Sequence, residues 1–171
     1  MEATRERLLT AMRQAASPVS VVTTGGPAGR FGFTVSAVCP VSTDPLSVLV
    51  CVNTSSYDLD LIRANQCFCV NLLSEQQAHV ADVFAGRVAH LRDDRFACAS
   101  WRAGATPAPV LVGALIVLNC WLVSESSHGS HRVLIGKIAD LEYDHHSPLL
   151  YAACGYRKLG SKVFADSATA S

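Results

Sequence analysis

The chain has 171 residues, which is enough for one domain with a substantial core and too few for two domains of ordinary size. Half of the residues are hydrophobic and 16% are charged, which excludes a disordered chain and suggests buried subunit surface. Lysine plus arginine equals aspartate plus glutamate at 14 each, so no charge excess points to nucleic acid or to a cationic partner.

The first part of the chain predicts a helix followed by strands. An N-terminal helix with one apolar face ends before Pro18, and VSVVTT follows as a strand. Glycines and a proline predict a hairpin turn at 25–29, and alternating bulky and small residues predict a strand from 29 to about 39. A turn at 43–45 leads to the strand LSVLVCVN, and a capping box predicts a short helix that starts near Ser56.

The second part predicts one more helix and several strands. QCFCVNLL reads as a buried strand, and Ser74 with Gln77 forms a capping box for a helix that Gly86 closes. Residues 87–96 predict a loop or ragged helix, and 110–123 predict one long buried strand. SESSHGSH reads as a polar loop, RVLIGKIADLEYD and PLLYAACGYRKL as the last strands, and the small polar tail as disordered.

The cysteines and the N-terminus indicate an ordinary cytoplasmic chain. Seven cysteines, most of them in apolar runs, are typical of buried free thiols in a reducing compartment. CFC at 67–69 places two sulfurs on one strand face, but no second pair stands at zinc spacing, so no metal site is expected. The charged N-terminus has no apolar core of a signal peptide, and no uncharged run is long enough to span a bilayer.

Known catalytic motifs give no direct assignment. The chain has no nucleophile elbow, P-loop or G-x-G-x-x-G turn, and the carboxylate pair Asp93 and Asp94 reads as solvated. His128 and His131 flank a Gly-Ser turn directly before a strand, which is a good place for function, although a loop histidine is more often not catalytic. The residues alone therefore predict a β-barrel with helical decorations, built from about six or seven strands and three helices.

Five segments in sequence resemble the short-chain flavin reductases, the reductase components of two-component flavin-dependent monooxygenases of the 4-hydroxyphenylacetate and phenol hydroxylase type. These segments are VSVVTT with GRFGFTVSAVCPVSTDPLSVLVCVNTSS, CVNLLSEQQ with VFAG, PVLVGAL, GSHRVLIGKI and PLLYAACGYRKL, and the match runs from about Ala11 to Leu159. The resemblance implies one domain over 1–160, a Greek-key antiparallel split β-barrel with peripheral helices, followed by a tail over 161–171. It also implies a cytoplasmic homodimer that moves hydride from NADH to FAD or FMN and releases reduced flavin to a partner monooxygenase.

The same resemblance implies a set of site residues. The strand Thr34–Val35–Ser36–Ala37 would lie along the flavin ring, where hydroxyls and small side chains permit close approach. The corner that holds Cys51, Val52, Asn53, Ser55 and Ser56 would take the flavin phosphate, although relatives carry a lysine there and this chain does not. The remaining implied cofactor contacts are Asn71, Phe84, Ala85, Gly86, Tyr156 and Arg157, and His131 would pack beside the nicotinamide as the catalytic residue.

Several alternatives remain open at the level of sequence. The hydroxyls of the Thr34–Ala37 strand could be incidental, the serines near Ser56 could only cap a helix, and Arg157 could be solvated. In the motif usually read as Gly-Asp-His, Ser130 replaces the aspartate, which leaves the protonation of His131 less fixed. The activity could instead be reduction of a metal-corrin or ferric acceptor by a tightly held flavin, and the barrel could also bind flavin without catalysis. NADH is favoured over NADPH because the sequence displays no arginine cluster for an extra phosphate.

Overall fold

The computed structural model describes residues 3–54 and 59–161. Short 3-10 turns cover Glu75–Gln77, Ala89–Leu91 and Arg95–Cys98. The helices are α1 (Arg5–Met12), α2 (Asp60–Asn65) and α3 (Ala78–Phe84). The strands are β1 (Ser17–Pro18), β2 (Ser20–Thr24), β3 (Phe31–Val35), β4 (Val38–Thr43), β5 (Leu46–Asn53), β6 (Cys67–Leu72), β7 (Trp101–Arg102), β8 (Val110–Leu111), β9 (Ile116–His128), β10 (His131–Tyr143), β11 (Leu150–Ala152) and β12 (Gly155–Arg157).

Seven antiparallel strands form the main sheet, in the order β3-β2-β6-β9-β10-β5-β4. The expectation of a mainly β fold with peripheral helices is therefore confirmed. β3 and β4 are the two edge strands, and no ladder joins them within the described residues. A second sheet of three short strands, β1-β11-β12, lies beside the main one and pairs Ser17 with Tyr151.

The sheet separates two clusters of buried side chains. One cluster collects residues from β2, β3, β5, β6, β9, β10 and α2, so Phe33 of one edge strand shares a core with Val48 of β5. The other cluster packs α3 and the 95–98 turn against the opposite face of β2 and β6. β2 and β6 are consequently covered on both faces, which explains why their sequences are apolar or uncharged throughout.

The structure corrects three of the expected elements. The run from 29 to about 39 is not one strand, because β3 ends at Val35 and β4 begins at Val38. The 110–123 run is not one strand, because Gly113 at φ +76° turns the chain between β8 and β9. The polar segment after it is not a loop, because β9 continues through His128, and β10 starts again at His131 after a tight turn at Gly129 and Ser130. Backbone pairing with β10 outweighs the low strand propensity of these serines and of Glu125.

Some of the expected helix ends are confirmed, and others are not. The Ser74–Gln77 capping box is present, and Gly86 at φ +74° follows the end of α3. The N-terminal helix ends earlier than expected, at Met12, and all of its residues are exposed. The second helix starts at Asp60, whereas its expected cap near Ser56 lies outside the described residues. The tail from residue 162 onward also lies outside them, so the expected disorder there stays a prediction.

All seven cysteines are free thiols. Cys67, Cys69 and Cys120 are buried as expected, whereas Cys39 and Cys154 are exposed. Burial raises the pKa of Cys120 to about 12, so this thiol stays protonated at neutral pH. In the part of the chain that the structure describes, no helix is both long enough and apolar enough to cross a membrane.

Candidate functional site

A cavity of about 320 Å³ opens at the C-terminal end of the edge strand β3. The segment after α3 and the β11–β12 hairpin form its other walls. Five residues expected at the flavin from the sequence line it together: Thr34, Val35, Ser36, Ala85 and Tyr156. Three lining residues were not anticipated: Val19, Arg87 and Tyr151. The volume lies at the lower end of the range for small-molecule sites.

The β3 wall of this cavity is organised by α3. The face of β3 that carries Gly32 and Thr34 packs against the helix, and the Thr34 hydroxyl donates to the Ala81 carbonyl at 2.7 Å. The lack of charged residues on this face therefore follows from coverage by a helix, because a charge there would be desolvated without a partner. Thr34 lines the cavity, but its hydroxyl proton is already engaged.

Ser36 is the free hydrogen-bonding group of the same wall. It follows β3, is exposed, and makes no hydrogen bond within the described residues through its hydroxyl or its backbone N–H. The next residue, Ala37, is tied to β5, because its carbonyl accepts from the Cys51 N–H at 2.9 Å. The β3–β4 corner is thus anchored on one side and presents two donors on the other.

The opposite wall is aromatic and carries one ion pair. The rings of Tyr151 and Tyr156 meet edge to face at 5.8 Å. The Tyr156 hydroxyl donates to Asp82 Oδ1 at 2.9 Å, and Arg87 Nη1 donates to the same oxygen at 2.9 Å. Burial and the hydrogen bond to Asp82 raise the pKa of Tyr156 to about 12, so the phenol is protonated at neutral pH.

A second group of the expected residues meets at the end of β5. Asn53 pairs with His131 of β10, and the Thr54 N–H donates to the Ser130 carbonyl at 2.9 Å. Ser130 Oγ lies 3.0 Å from His131 Nδ1, so the serine that replaces the aspartate of the family motif still contacts the imidazole. Val52 is 1% exposed, so only its backbone can face a ligand. Ser55 and Ser56, expected at the flavin phosphate, lie outside the described residues.

His131 does not line the β3 cavity in the described part of the chain. It is exposed, and in the strand order β9, β6 and β2 lie between its strand β10 and β3. The link between the two groups is the hydrogen bond from Cys51 to Ala37, since Cys51 lies two residues before Asn53 on β5. The structure therefore places the histidine next to the end of β5, and the hydrogen bond from Cys51 to Ala37 joins that strand to the β3–β4 corner.

Four expected contacts do not line this cavity, and one of them, Gly86, directly follows the lining residue Ala85. Asn71 is fully buried, and its amide donates to the Val21 carbonyl at 3.2 Å and accepts from the Leu111 N–H at 2.8 Å, so it joins β2, β6 and β8. Phe84 is fully buried in the cluster that packs α3 against the sheet, and Arg157 is exposed and folds back on the Tyr156 carbonyl. A polar residue in an apolar strand can either satisfy backbone groups inside the core or contact a ligand, and the sequence carries no signal that separates the two roles.

The unanticipated residues carried weak sequence signals. Arg87 follows the glycine that ends α3, where a charge next to a helix end can face a neighbouring cavity. Tyr151 alternates with apolar residues of a short strand and reads as core. Asp82 reads as a solvated helix position, although it holds both Arg87 and Tyr156.

Comparison with known proteins identifies the family. Residues 12–160 match the flavin reductase like domain. An FMN reductase (NADH) RutF 2 of Methylorubrum extorquens strain PA1 is 42% identical over 150 residues, which cover 87% of this chain and 86% of the relative.

Solved structures agree with that match. A flavin reductase from Haemophilus somnus 129PT shares 34% identity and a TM-score of 0.86 over 92% of this chain and 100% of that protein. A homologue of nitrilotriacetate monooxygenase component B from Mycobacterium thermoresistibile shares 28% identity and a TM-score of 0.81, with 96% and 95% covered. The resemblance read from the sequence is thereby confirmed: the chain belongs to the flavin reductase family and is an oxidoreductase.

Proposed function

We propose that this enzyme transfers hydride from NADH to a flavin, FMN or FAD, that binds in the β3 cavity. The observation that carries the proposal is the pairing of two walls with complementary chemistry. Ser36 presents two donors that have no acceptor among the described residues on one wall, and Tyr151 and Tyr156 present aromatic surface on the other. A planar ring with carbonyl and ring-nitrogen acceptors fits this combination, because its faces are apolar and its edge accepts hydrogen bonds.

The chain contributes binding and orientation. Ser36 would donate to the edge of the flavin, and Val35 would pack against its plane. Tyr156 would cover the ring from the opposite side, held in one orientation by its hydrogen bond to Asp82. The flavin and NADH supply the hydride chemistry themselves, so rate gain comes from holding the two reactants together. Residues 51–56 and His131 would hold the flavin phosphate and the nicotinamide, respectively.

The identity of the flavin and its destination belong to the same proposal. The name of the Methylorubrum relative, an FMN reductase (NADH), supports NADH and favours FMN, whereas the sequence resemblance favoured FAD. The component B relative supports delivery of reduced flavin to a separate monooxygenase. Delivery requires that the reduced flavin dissociates, and the cavity opens to solvent. Among the lining residues that the structure describes, the only cation is Arg87, which is already paired with Asp82.

We also propose the assembly and location that the resemblance implied. Val41 of β4, Leu46 of β5, and Trp121 and Val123 of β9 are exposed, and a second copy would cover apolar side chains of this kind in a homodimer. The shared core of β3 and β5 supports closure of the curved sheet as a split barrel. Free thiols at all cysteines support a reducing cytoplasmic location.

The proposal is tested by NADH consumption with FMN, FAD or riboflavin added in excess over the purified protein. Turnover that depends on added flavin, with a colourless protein as purified, is the expected result. If the purified protein is yellow, does not respond to added flavin and reduces a ferric or metal-corrin acceptor, the flavin is tightly held rather than diffusible. If neither NADH nor NADPH is oxidised with any flavin, the proposed enzyme activity is contradicted and the cavity is a binding site without catalysis.

A further inference from the structure

One acidic side chain beside the β3 cavity holds two of the groups that line it. Asp82 of α3 is not among the lining residues that the structure describes. Its Oδ1 atom accepts hydrogen bonds from the Tyr156 hydroxyl and from Arg87 Nη1, at 2.9 Å each. The Arg87 guanidinium also lies 5.9 Å from the centre of the Tyr156 ring. The three side chains therefore form one linked group on the aromatic wall.

The charges of this group cancel. Arg87 is the only charged residue among the described residues that line the cavity, and its partner Asp82 carries the opposite charge. Arg157 follows Tyr156 in the chain, but it folds back on the Tyr156 carbonyl and is not one of those lining residues. The side chains of Asp82 and Arg87 are 37% and 54% exposed, so water screens their charges and the effect on a bound ring is modest.

Hydride transfer changes the charge of the molecule that this cavity is proposed to bind. NADH gives the oxidised flavin ring a hydride, which is one proton and two electrons, and NADH becomes NAD⁺. The neutral ring thereby becomes an anion, whereas the flavin phosphate keeps its charge. A cavity with a net positive charge would therefore bind the reduced flavin more tightly than the oxidised flavin, because opposite charges attract.

We propose that Asp82 is a positioning residue that cancels the charge of Arg87, so that the cavity does not retain the reduced flavin. The inference rests on the proposed function and deepens it, because delivery to a separate monooxygenase requires that the reduced flavin dissociates. Asp82 acts through Arg87 rather than by touching the flavin. Its carboxylate also orients the Tyr156 ring, so the effects of charge and of orientation are separated by different variants.

The test compares the dissociation constants of oxidised and reduced FMN, measured without turnover in anaerobic titrations of the purified protein. Asp82→Asn leaves Arg87 uncompensated, and we expect it to tighten reduced FMN about three- to fivefold relative to oxidised FMN. The midpoint potential of bound FMN should then rise by about 14–21 mV, because a tenfold ratio corresponds to about 29.6 mV for a two-electron couple. Arg87→Gln leaves Asp82 uncompensated and should shift the ratio by the same factor in the opposite direction. The double variant is neutral again and should return the ratio to the wild-type value.

Two controls separate charge from structure. Asp140→Asn removes one negative charge from an exposed position of β10 and should leave the ratio unchanged. Tyr156→Phe removes the hydrogen bond to Asp82 but keeps both charges, so it should change the affinities for oxidised and reduced FMN by the same factor.

The inference is overturned if Asp82→Asn leaves the ratio unchanged, or if its effect persists in the double variant with Arg87→Gln. Either result with normal FMN binding overturns this inference alone. A wild-type protein that binds FMN in neither redox state would contradict the proposed function, and this inference with it.

Discussion

Substitution of Gly32 by alanine tests whether α3 must pack directly on β3, the edge strand that lines the β3 cavity. A Cβ at this position would lie 2.6 Å from Phe84 Cε1, about 0.8 Å closer than the 3.4 Å at which ordinary van der Waals contact begins. It would also lie 3.2 Å from the Val22 carbonyl oxygen, which belongs to the neighbouring strand and cannot move alone.

The loss in the free energy of unfolding depends on whether the Phe84 ring can move away from the new methyl group. Its ring is fully buried and meets Phe96 edge to face at 5.2 Å and Trp101 at 5.4 Å, so a shift of 0.8 Å would disturb both contacts. Overpacking of this kind costs about 1–3 kcal/mol, and the lower chain entropy of unfolded alanine offsets about 0.4–1 kcal/mol. We therefore expect Gly32→Ala to lower the free energy of unfolding by about 1–2 kcal/mol.

Urea unfolding followed by tryptophan fluorescence measures this change, with an unaltered m-value as the sign that only stability differs. Gly160→Ala is the matched control, because nothing lies within 4 Å of its Cβ position and its φ is not positive. Adding Phe84→Leu to Gly32→Ala should recover part of the loss. The free energy of unfolding of the double variant should therefore be higher than the sum of the two single changes predicts. Additive losses, or a Gly32→Ala protein as stable as the control, would refute direct packing of the ring on β3.

Three further outcomes concern the site. At a pH between 10.0 and about 12, Asp82→Asn should increase tyrosinate absorbance, because it lowers the raised pKa of Tyr156. The stability that comes from this raised pKa is present below pH 10.0 and is lost as pH rises through about 12. An unchanged titration would contradict the assignment. Ser36→Tyr should weaken flavin binding at least about tenfold in a fluorescence titration while thermal unfolding stays normal; equal affinity would remove this residue from the site. His131→Ala should lower kcat/KM for NADH about tenfold and spare flavin affinity, and equal losses in both would exclude a specific nicotinamide role.

The cavity could be anticipated in part because some of its residues carry local signals. Alternation in β3 indicates which residues share a face, and Gly86 marks the end of α3, so Ser36 and Ala85 could be placed at the ends of their elements. Asn71 shows the limit of that reasoning. Its carbonyl oxygen is aligned with the Leu111 N–H only after β8 folds back over β6, and a strand pattern contains no information about such a contact.

The sequence by itself determined the mainly β class, most of the strand positions, the Ser74 capping box and the family, because periodicity, caps and ordered motifs are local properties of the chain. Tertiary structure decided the rest. It covered one face of β3 with α3, engaged the Thr34 hydroxyl, joined Tyr156 to Asp82 and gathered Arg30 with Arg92 into one cavity. Each of these depends on which distant segments the curved sheet brings together, and that is set by packing of the whole core rather than by any stretch of sequence.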